Sequence, residues 1–152
     1  MLYHIPSMKI SRIVVTHSLP MEVVEILSGA SEVILGKLSE NCRVEMLQHV
    51  TPAHAIMLSG KDVVIDEALI SRCPSLRIIA TTFEGSDNID IEACTRNGVW
   101  VTTIPEVPSN SDQTLGSALE AAANVLEALS GFSPKGAINC PFRKRRPQAA
   151  HL

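Results

Sequence analysis

The chain has 152 residues, of which 45% are hydrophobic, 19% are charged and only 3% are aromatic. This length predicts one domain, at most with a tail, and the composition is that of a globular protein with an aliphatic core. The formal net charge of −3 gives no general electrostatic attraction for nucleic acid, so we expect no nucleic-acid partner.

The sequence also carries no signal for a membrane or a secreted protein. No apolar run approaches the roughly 20 residues of a membrane-spanning helix, and the first residues lack the basic and apolar regions of a secretory signal. The widely spaced cysteines favour reduced thiols over a disulfide or zinc framework; they are Cys42, Cys73, Cys94 and Cys140. We therefore expect a cytoplasmic protein without a membrane partner or a metal site.

Five short apolar stretches predict β-strands, and helical patterns lie between them. The predicted strands are residues 12–16, 32–35, 55–58, 76–80 and 99–103. The predicted helices are residues 20–28, 40–50, 66–73 and 91–96, with Asp66 and Asp90 as N-terminal caps and Asn97-Gly98 as a left-handed end. Such alternation predicts a doubly wound parallel sheet of the flavodoxin-like α/β class, which binds ligands beyond the carboxyl ends of its strands.

The last third of the chain predicts a linker, a long helix and a tail. Residues 105–114 (PEVPSNSDQT) are polar and rich in helix breakers, which predicts a loop. Apolar residues at helical spacing predict a helix over residues 115–129, with Gly131 as its stop and an alanine-rich face that can pack closely. Residues 141–152 predict a disordered tail, in which the basic run at 143–146 favours solvated charges over a nucleic-acid contact.

The connection after the fourth predicted strand, residues 81–90 (TTFEGSDNID), is the first candidate binding site. Gly85 permits a close approach of an anion to the main chain, where the N–H groups of Gly85 and Ser86 can donate to it. Asp87 and Asn88 are suited to holding a turn by bonding to their own backbone. An ordinary strand-to-helix turn without a ligand is the alternative, and local chemistry alone favours it.

The run GSDNID followed by ACTRNGVWVTTIP resembles the NAD-dependent D-2-hydroxyacid dehydrogenase family, in which a G-x-D-N-[IV]-D turn precedes a helix. The stretch DNIDIEACTRNGVW is most similar to the phosphonate (phosphite) dehydrogenase branch of that family. RIVVTHSL resembles the family's first strand, and EAAANVLEALSGFSPKGAIN resembles its last helix and closing segment. The resemblance covers residues 9–140 and is interrupted near residues 109–114.

This resemblance implies that residues 1–140 form the substrate (catalytic) domain, with residues 105–114 as the junction where a nucleotide-binding domain would be inserted. None of the eight glycines is separated from another by a single residue, so the chain has no G-x-G-x-x-G pyrophosphate turn. No residue matches the family's catalytic Arg, Glu and His motifs either. NAD is therefore the family's cofactor, but we expect none to bind this chain alone and assign it no catalytic residue.

The resemblance places substrate contacts at Glu84, Gly85 and Ser86. Phosphonate dehydrogenases carry a Lys just before the turn glycine, and this chain has Glu84 there. Two like charges about 4 Å apart repel by about 1 kcal/mol in bulk water and about 4 kcal/mol near a protein surface, so the substrate class is open. Ser109 is a candidate match for a family Thr that contacts the cofactor after the fifth strand.

The histidines provide weaker candidates. His17 follows the first predicted strand, where a solvent-edge histidine is favoured over a role in the cleft. His49 and His54 are five residues apart across Pro52 and do not share a helix face, which argues against a metal site. Two other proteins of this fold class are disfavoured, because Thr16-His17 lacks the acidic residues of a receiver domain and HSLPME is not a flavodoxin phosphate loop.

The leading interpretation is a truncated substrate domain of a 2-hydroxyacid or phosphonate dehydrogenase that does not transfer hydride alone. Its partners would be a small anionic substrate and a separate nucleotide-binding domain or a full-length homologue. A non-catalytic ligand-binding or protein-interaction module derived from the same domain is the alternative. A degenerate product without activity is the third possibility.

Overall fold

The structure, a computed structural model, describes residues 11–35, 52–61, 63–105 and 113–141, without the side chains of residues 113 and 114. Its described part contains a parallel sheet of five strands in the order β2-β1-β3-β4-β5. The strands are β1 Ser11–Val15, β2 Ser31–Leu35, β3 Ala55–Leu58, β4 Ile78–Thr81 and β5 Trp100–Thr102. This strand order is the flavodoxin-like one, so the predicted fold class is confirmed.

Four helices lie within the described ranges: α1 Met21–Ser28, α2 Glu67–Ser71, α3 Ile91–Arg96 and α4 Gln113–Leu129. Both predicted caps are confirmed, because the carboxylates of Asp66 and Asp90 each accept a bond of 3.0 Å from the main chain three residues later. Gly98 and Gly131 have φ angles of +75° and +94°, as helix-ending glycines do. The predicted helix at 40–50 lies outside the described residues, as does the tail from residue 142. No helix of the described chain is long and apolar enough to cross a membrane.

Several predicted boundaries differ by one or two residues, for reasons that involve the neighbouring helix. Leu76 donates its N–H to Cys73, which makes it part of the turn after α2, and β4 begins only at Ile78. Val99 similarly donates to Cys94 at the end of α3, so β5 is limited to Trp100–Thr102. Helix α4 begins two residues before the predicted position, inside the predicted linker, because a first helical turn does not need apolar side chains.

Alternate residues of the strands face opposite sides of the sheet, and each side is covered by helices. One face packs against α2 and α3, and its buried strand residues are Val14, Ile56, Leu58, Ile79 and Val101. The other face packs against α1 and α4, and its buried strand residues are Ile13, Val15, Ala55, Met57, Ile78, Ala80 and Trp100. Four of the five alanines of α4 are buried, as the alanine-rich face predicted; they are Ala118, Ala121, Ala122 and Ala128.

The segment after α4 returns along β5, the strand at one edge of the sheet. Ala137 forms an antiparallel bridge with Thr102, and the N–H of Ile138 donates to the carbonyl of Val101 over 2.9 Å. A strand edge left open presents unpaired main-chain groups that invite aggregation. The closing segment therefore completes the sheet on this side, and Pro141, which was predicted as the start of the tail, is buried.

The buried cysteines belong to the face covered by α2 and α3. Cys73 and Cys94 are 3% and 0% exposed, Cys140 is exposed, and all three are free thiols. Burial raises the pKa of Cys73 from 9.0 to about 11. Burial, and secondly the carboxylate of Asp90, raise the pKa of Cys94 to about 12. These two thiols are protonated at neutral pH, which makes them core residues and not nucleophiles. Cys42 lies outside the described residues.

The side chain of Asn139 stabilises the pairing between the segment after α4 and β5. Its Oδ1 accepts from the N–H of Val101 at 2.8 Å, and its Nδ2 donates to the carbonyl of Val99 at 3.0 Å. Asn139→Ala removes both partners from main-chain groups of buried residues, so we expect the free energy of unfolding in urea to fall by about 2–3 kcal/mol. Ser133→Ala, an exposed change in the same segment, is the control and should stay within about 0.5 kcal/mol of wild type. An Asn139→Ala midpoint equal to that of the control contradicts this role.

The raised thiol pKa values predict a loss of stability at alkaline pH. The unfolded chain releases these protons near pH 9.0, whereas the folded chain holds them to about pH 11 for Cys73 and about pH 12 for Cys94. The two protonated thiols therefore contribute stability that is fully present below about pH 9. This stability is lost as the pH rises through the pKa values of the folded state. We expect the urea midpoint of wild type to fall more steeply between pH 8.5 and 10.5 than that of Cys73→Ala/Cys94→Ala. Parallel pH profiles would disprove this assignment.

Candidate functional site

The carboxyl ends of β1, β3 and β4 meet at one edge of the sheet because the strands are parallel. The chain remains paired just past the strands: Thr16 donates its N–H to Met57 and Thr82 donates to Leu58, each over 3.0 Å. The Thr16 hydroxyl also accepts from the N–H of Ser59 at 3.3 Å. Since this edge is where sheets of this class bind ligands, the turn that follows β4 lies in the expected place for a site.

Gly85 lies in this turn with a φ of +94°, a backbone conformation that favours glycine. A Cβ atom at Gly85 would have no heavy atom of the described residues within 4 Å, so the space on that side of Gly85 is open. Within the described ranges, neither Gly85 nor Ser86 donates its N–H to a protein acceptor. The turn thus offers two main-chain donors to a ligand at the carboxyl edge of the sheet.

The start of the turn is fixed by the carbonyl of Phe83. It accepts from the hydroxyl of Thr81 at 2.7 Å and from the N–H of Ile104 at 3.3 Å. The Phe83 ring packs against the core on the side of α2 and α3. Gly85 therefore lies two positions after a residue that is held by both its main chain and its side chain.

The end of the turn is fixed to the chain that follows β3. Asn88 Nδ2 donates to the carbonyl of Val63 at 2.7 Å, and the Asn88 carbonyl accepts from Ile65 at 2.8 Å. Ile65 and Ile89 form an isolated parallel bridge. The prediction that Asn88 bonds to its own backbone is wrong, because its amide reaches a carbonyl 25 residues away. Asp87, predicted for the same role, is exposed.

Two opposite charges stand beside the turn. Glu84 is exposed, and the ammonium of Lys61 lies 5.4 Å from the centroid of the Phe83 ring. Leu58 of β3 pairs with Thr81 of β4. Lys61 is three positions after Leu58, and Glu84 is three positions after Thr81. Lys61 was not among the predicted site residues, because only the register of β3 and β4 shows that it lies beside this turn.

The predicted histidines that the structure describes lie at opposite ends of the strands. His17 is half-buried at the carboxyl edge, where its Nδ1 lies 2.9 Å from the Thr16 hydroxyl oxygen. His54 precedes β3 and its Nδ1 accepts from the N–H of Arg12 at 3.0 Å, so it belongs to the opposite edge of the sheet. Ser109, His49 and the basic run at 143–146 lie outside the described residues. In the part of the chain that the structure describes, no group of three or more His, Cys, Asp or Glu is arranged to hold a metal ion.

Comparisons with known proteins agree with this fold. The family model for the D-isomer specific 2-hydroxyacid dehydrogenase catalytic domain matches residues 13–139. A glyoxylate reductase of Aeropyrum pernix is 36% identical over 124 residues, which are 80% of this chain and 37% of that protein. A D-3-phosphoglycerate dehydrogenase of Methanocaldococcus jannaschii is 34% identical over 126 residues, which are 80% of this chain and 23% of that protein.

A solved structure is also similar to part of this chain. The 3-phosphoglycerate dehydrogenase of Entamoeba histolytica, solved with NAD⁺ bound, has a TM-score of 0.53 and 28% identity, and the match covers 62% of this chain and 33% of that chain. The chain spans between 23% and 37% of the length of these relatives. Their names refer to glyoxylate and phosphoglycerate, so the phosphonate branch stays a prediction.

The residues in the described strand-to-helix connections do not fit a dinucleotide. A pyrophosphate needs closely spaced glycines at such a turn. The connection from β1 to α1, THSLP, contains no glycine, whereas the connections after β3 and β4 contain Gly60 and Gly85 alone. No step that involves NAD is therefore assigned to this chain.

Proposed function

The chain belongs to the D-isomer specific 2-hydroxyacid dehydrogenase family, and from that premise we propose that it is a substrate-binding domain. Its site is the Gly85 turn, and its ligand is the carboxylate of a small 2-hydroxy or 2-oxo acid. The observation that carries this proposal is the pair of N–H groups at Gly85 and Ser86, which make no hydrogen bond within the described residues, beside the open space at Gly85.

A carboxylate is the group that such donors suit. Hydrogen bonds from main-chain N–H groups to an ionised oxygen are about twice as strong as bonds between neutral groups. The two donors lie between Phe83 and Asn88, whose hydrogen bonds hold both ends of the turn. Little ordering is then needed when the ligand binds, which favours affinity and a fixed orientation of the bound acid.

Hydride transfer requires a nucleotide site, and no described strand-to-helix connection has the closely spaced glycines of one. We propose that a separate nucleotide-binding domain or a full-length homologue provides it, while this chain binds and orients the substrate. No residue of the chain is assigned as the catalytic base.

The finer assignment to phosphonate chemistry rests on residues 87–100 alone. Phosphite places up to two negative charges on one small group, which roughly doubles its repulsion by the Glu84 carboxylate compared with a monoanion. We therefore favour a carboxylate ligand in the turn and treat phosphite as the competing ligand in the binding test.

Two glycine variants provide a matched test of the site. Gly85 and Gly131 both have a φ of +94°, and a Cβ atom at either has no heavy atom within 4 Å. Replacement by alanine should cost about 1–2 kcal/mol of stability at each position, because both require the left-handed conformation. The added methyl group of Gly85→Ala also occupies the open space at the candidate site, whereas Gly131→Ala changes a turn at the end of α4.

We expect calorimetric titration with glyoxylate to show affinity at least about tenfold weaker for Gly85→Ala than for Gly131→Ala, which corresponds to about 1.4 kcal/mol. Phosphite should bind wild type more weakly than glyoxylate. Equal glyoxylate affinity of the two variants would overturn the proposed site. Absence of saturable binding to wild type would favour the protein-interaction module instead.

A further inference from the structure

Within the described residues, the hydrogen bonds that hold the Gly85 turn do not involve Lys61, yet Lys61 lies beside the turn. Its ammonium lies 5.4 Å from the centroid of the Phe83 ring, within the range of a cation–π contact. Lys61 is exposed and Phe83 is half-buried. The ring thus gives a mobile, solvated cation a preferred position at the mouth of the candidate site.

The ammonium can reach a ligand that is bound at the turn. Phe83 precedes Gly85 by two residues, which an extended chain spans in at most about 7 Å. A lysine ammonium is a point charge on a flexible four-carbon stem, and an exposed cation–π contact is weak enough to be exchanged for an ion pair. Lys61 therefore lies against a residue near the turn and has the freedom to move toward a bound ligand.

The position of Lys61 favours a second anionic group over the carboxylate itself. The carboxylate at the turn is bound by the N–H groups of Gly85 and Ser86, which are main-chain donors two and three residues beyond Phe83. Lys61 instead reaches the turn from the end of β3, across the Phe83 ring. Glu84, at the equivalent position after β4, adds a negative charge beside the turn, and the positive charge of Lys61 offsets it.

We propose that Lys61 is a specificity-determining residue that selects acids with a second anionic group, such as a phosphate, several atoms from the carboxylate held at Gly85. This inference rests on the proposed function, because it needs the carboxylate at the turn. It predicts a preference among 2-hydroxy acids and not a new reaction.

D-glycerate and 3-phospho-D-glycerate form a matched pair of probes, because they differ only in the second anionic group. We expect wild type to bind the phosphorylated acid about five- to tenfold more tightly in calorimetric titrations at low ionic strength. Lys61→Gln should remove this preference and change the affinity for D-glycerate less than about twofold. Lys61→Arg keeps the charge and should retain most of the preference. Added salt should reduce the preference of wild type, because an exposed ion pair is screened.

The outcomes separate the two proposals. If both acids bind saturably and Lys61→Gln leaves the preference unchanged, the role of Lys61 is overturned while the substrate domain stands. Equal affinity of wild type for both acids has the same consequence. Binding of neither acid to wild type overturns the substrate domain and the role of Lys61 together. Gly85→Ala should weaken both acids in parallel, since it acts on the carboxylate that they share.

Discussion

Parallel pairing of β3 with β4 is the constraint on which the candidate site depends. Leu58 lies opposite Thr81, and the same register continues into the next residue, where Thr82 donates to the carbonyl of Leu58. The segments that follow the two strands must then lie side by side. They carry Lys61 after β3, and Phe83 and Gly85 after β4. A change of register by one residue would move the buried side chains of a strand to the opposite face, so the core itself fixes the site.

Hydrogen bonds between the two connections convert this proximity into a defined geometry. The Asn88 amide binds the carbonyl of Val63, and Ile65 exchanges main-chain bonds with Asn88 and Asp90. The Asp90 carboxylate is already used as the cap of α3. The turn is therefore rigid where it meets the protein and open where it faces solvent, which suits a site that binds through main-chain donors.

Local sequence was sufficient to predict much of the fold. Strand and helix order follows from short-range patterns of apolar residues, and the Asp66 and Asp90 caps depend on contacts three residues apart. Gly98 and Gly131 likewise end helices for reasons that involve their own backbone. The Gly85 turn was predicted in the same way, since a glycine between a strand and a capped helix is a local feature.

The remaining features depend on contacts between distant residues and could not be predicted from local patterns. Asn88 and Val63 are 25 residues apart, and Asn139 and Val101 are 38 residues apart. The position of Lys61 over Phe83 requires the β3–β4 register, which the sequence of either strand does not specify. The observed starts of β4 and β5 differ from the predicted ones for a related reason. Leu76 and Val99 are apolar and buried like strand residues, but their N–H groups bond to the ends of the preceding helices.

The central claim is that the N–H groups of Gly85 and Ser86, which have no acceptor within the described residues, bind the carboxylate of the substrate. Amide chemical shifts in ¹⁵N–¹H spectra report on those two groups directly while the protein is titrated with glyoxylate. We predict saturable shifts that are largest at Gly85 and Ser86 and that fit a single affinity. Unchanged resonances at both amides, at ligand concentrations that shift amides elsewhere in the protein, would contradict the claim.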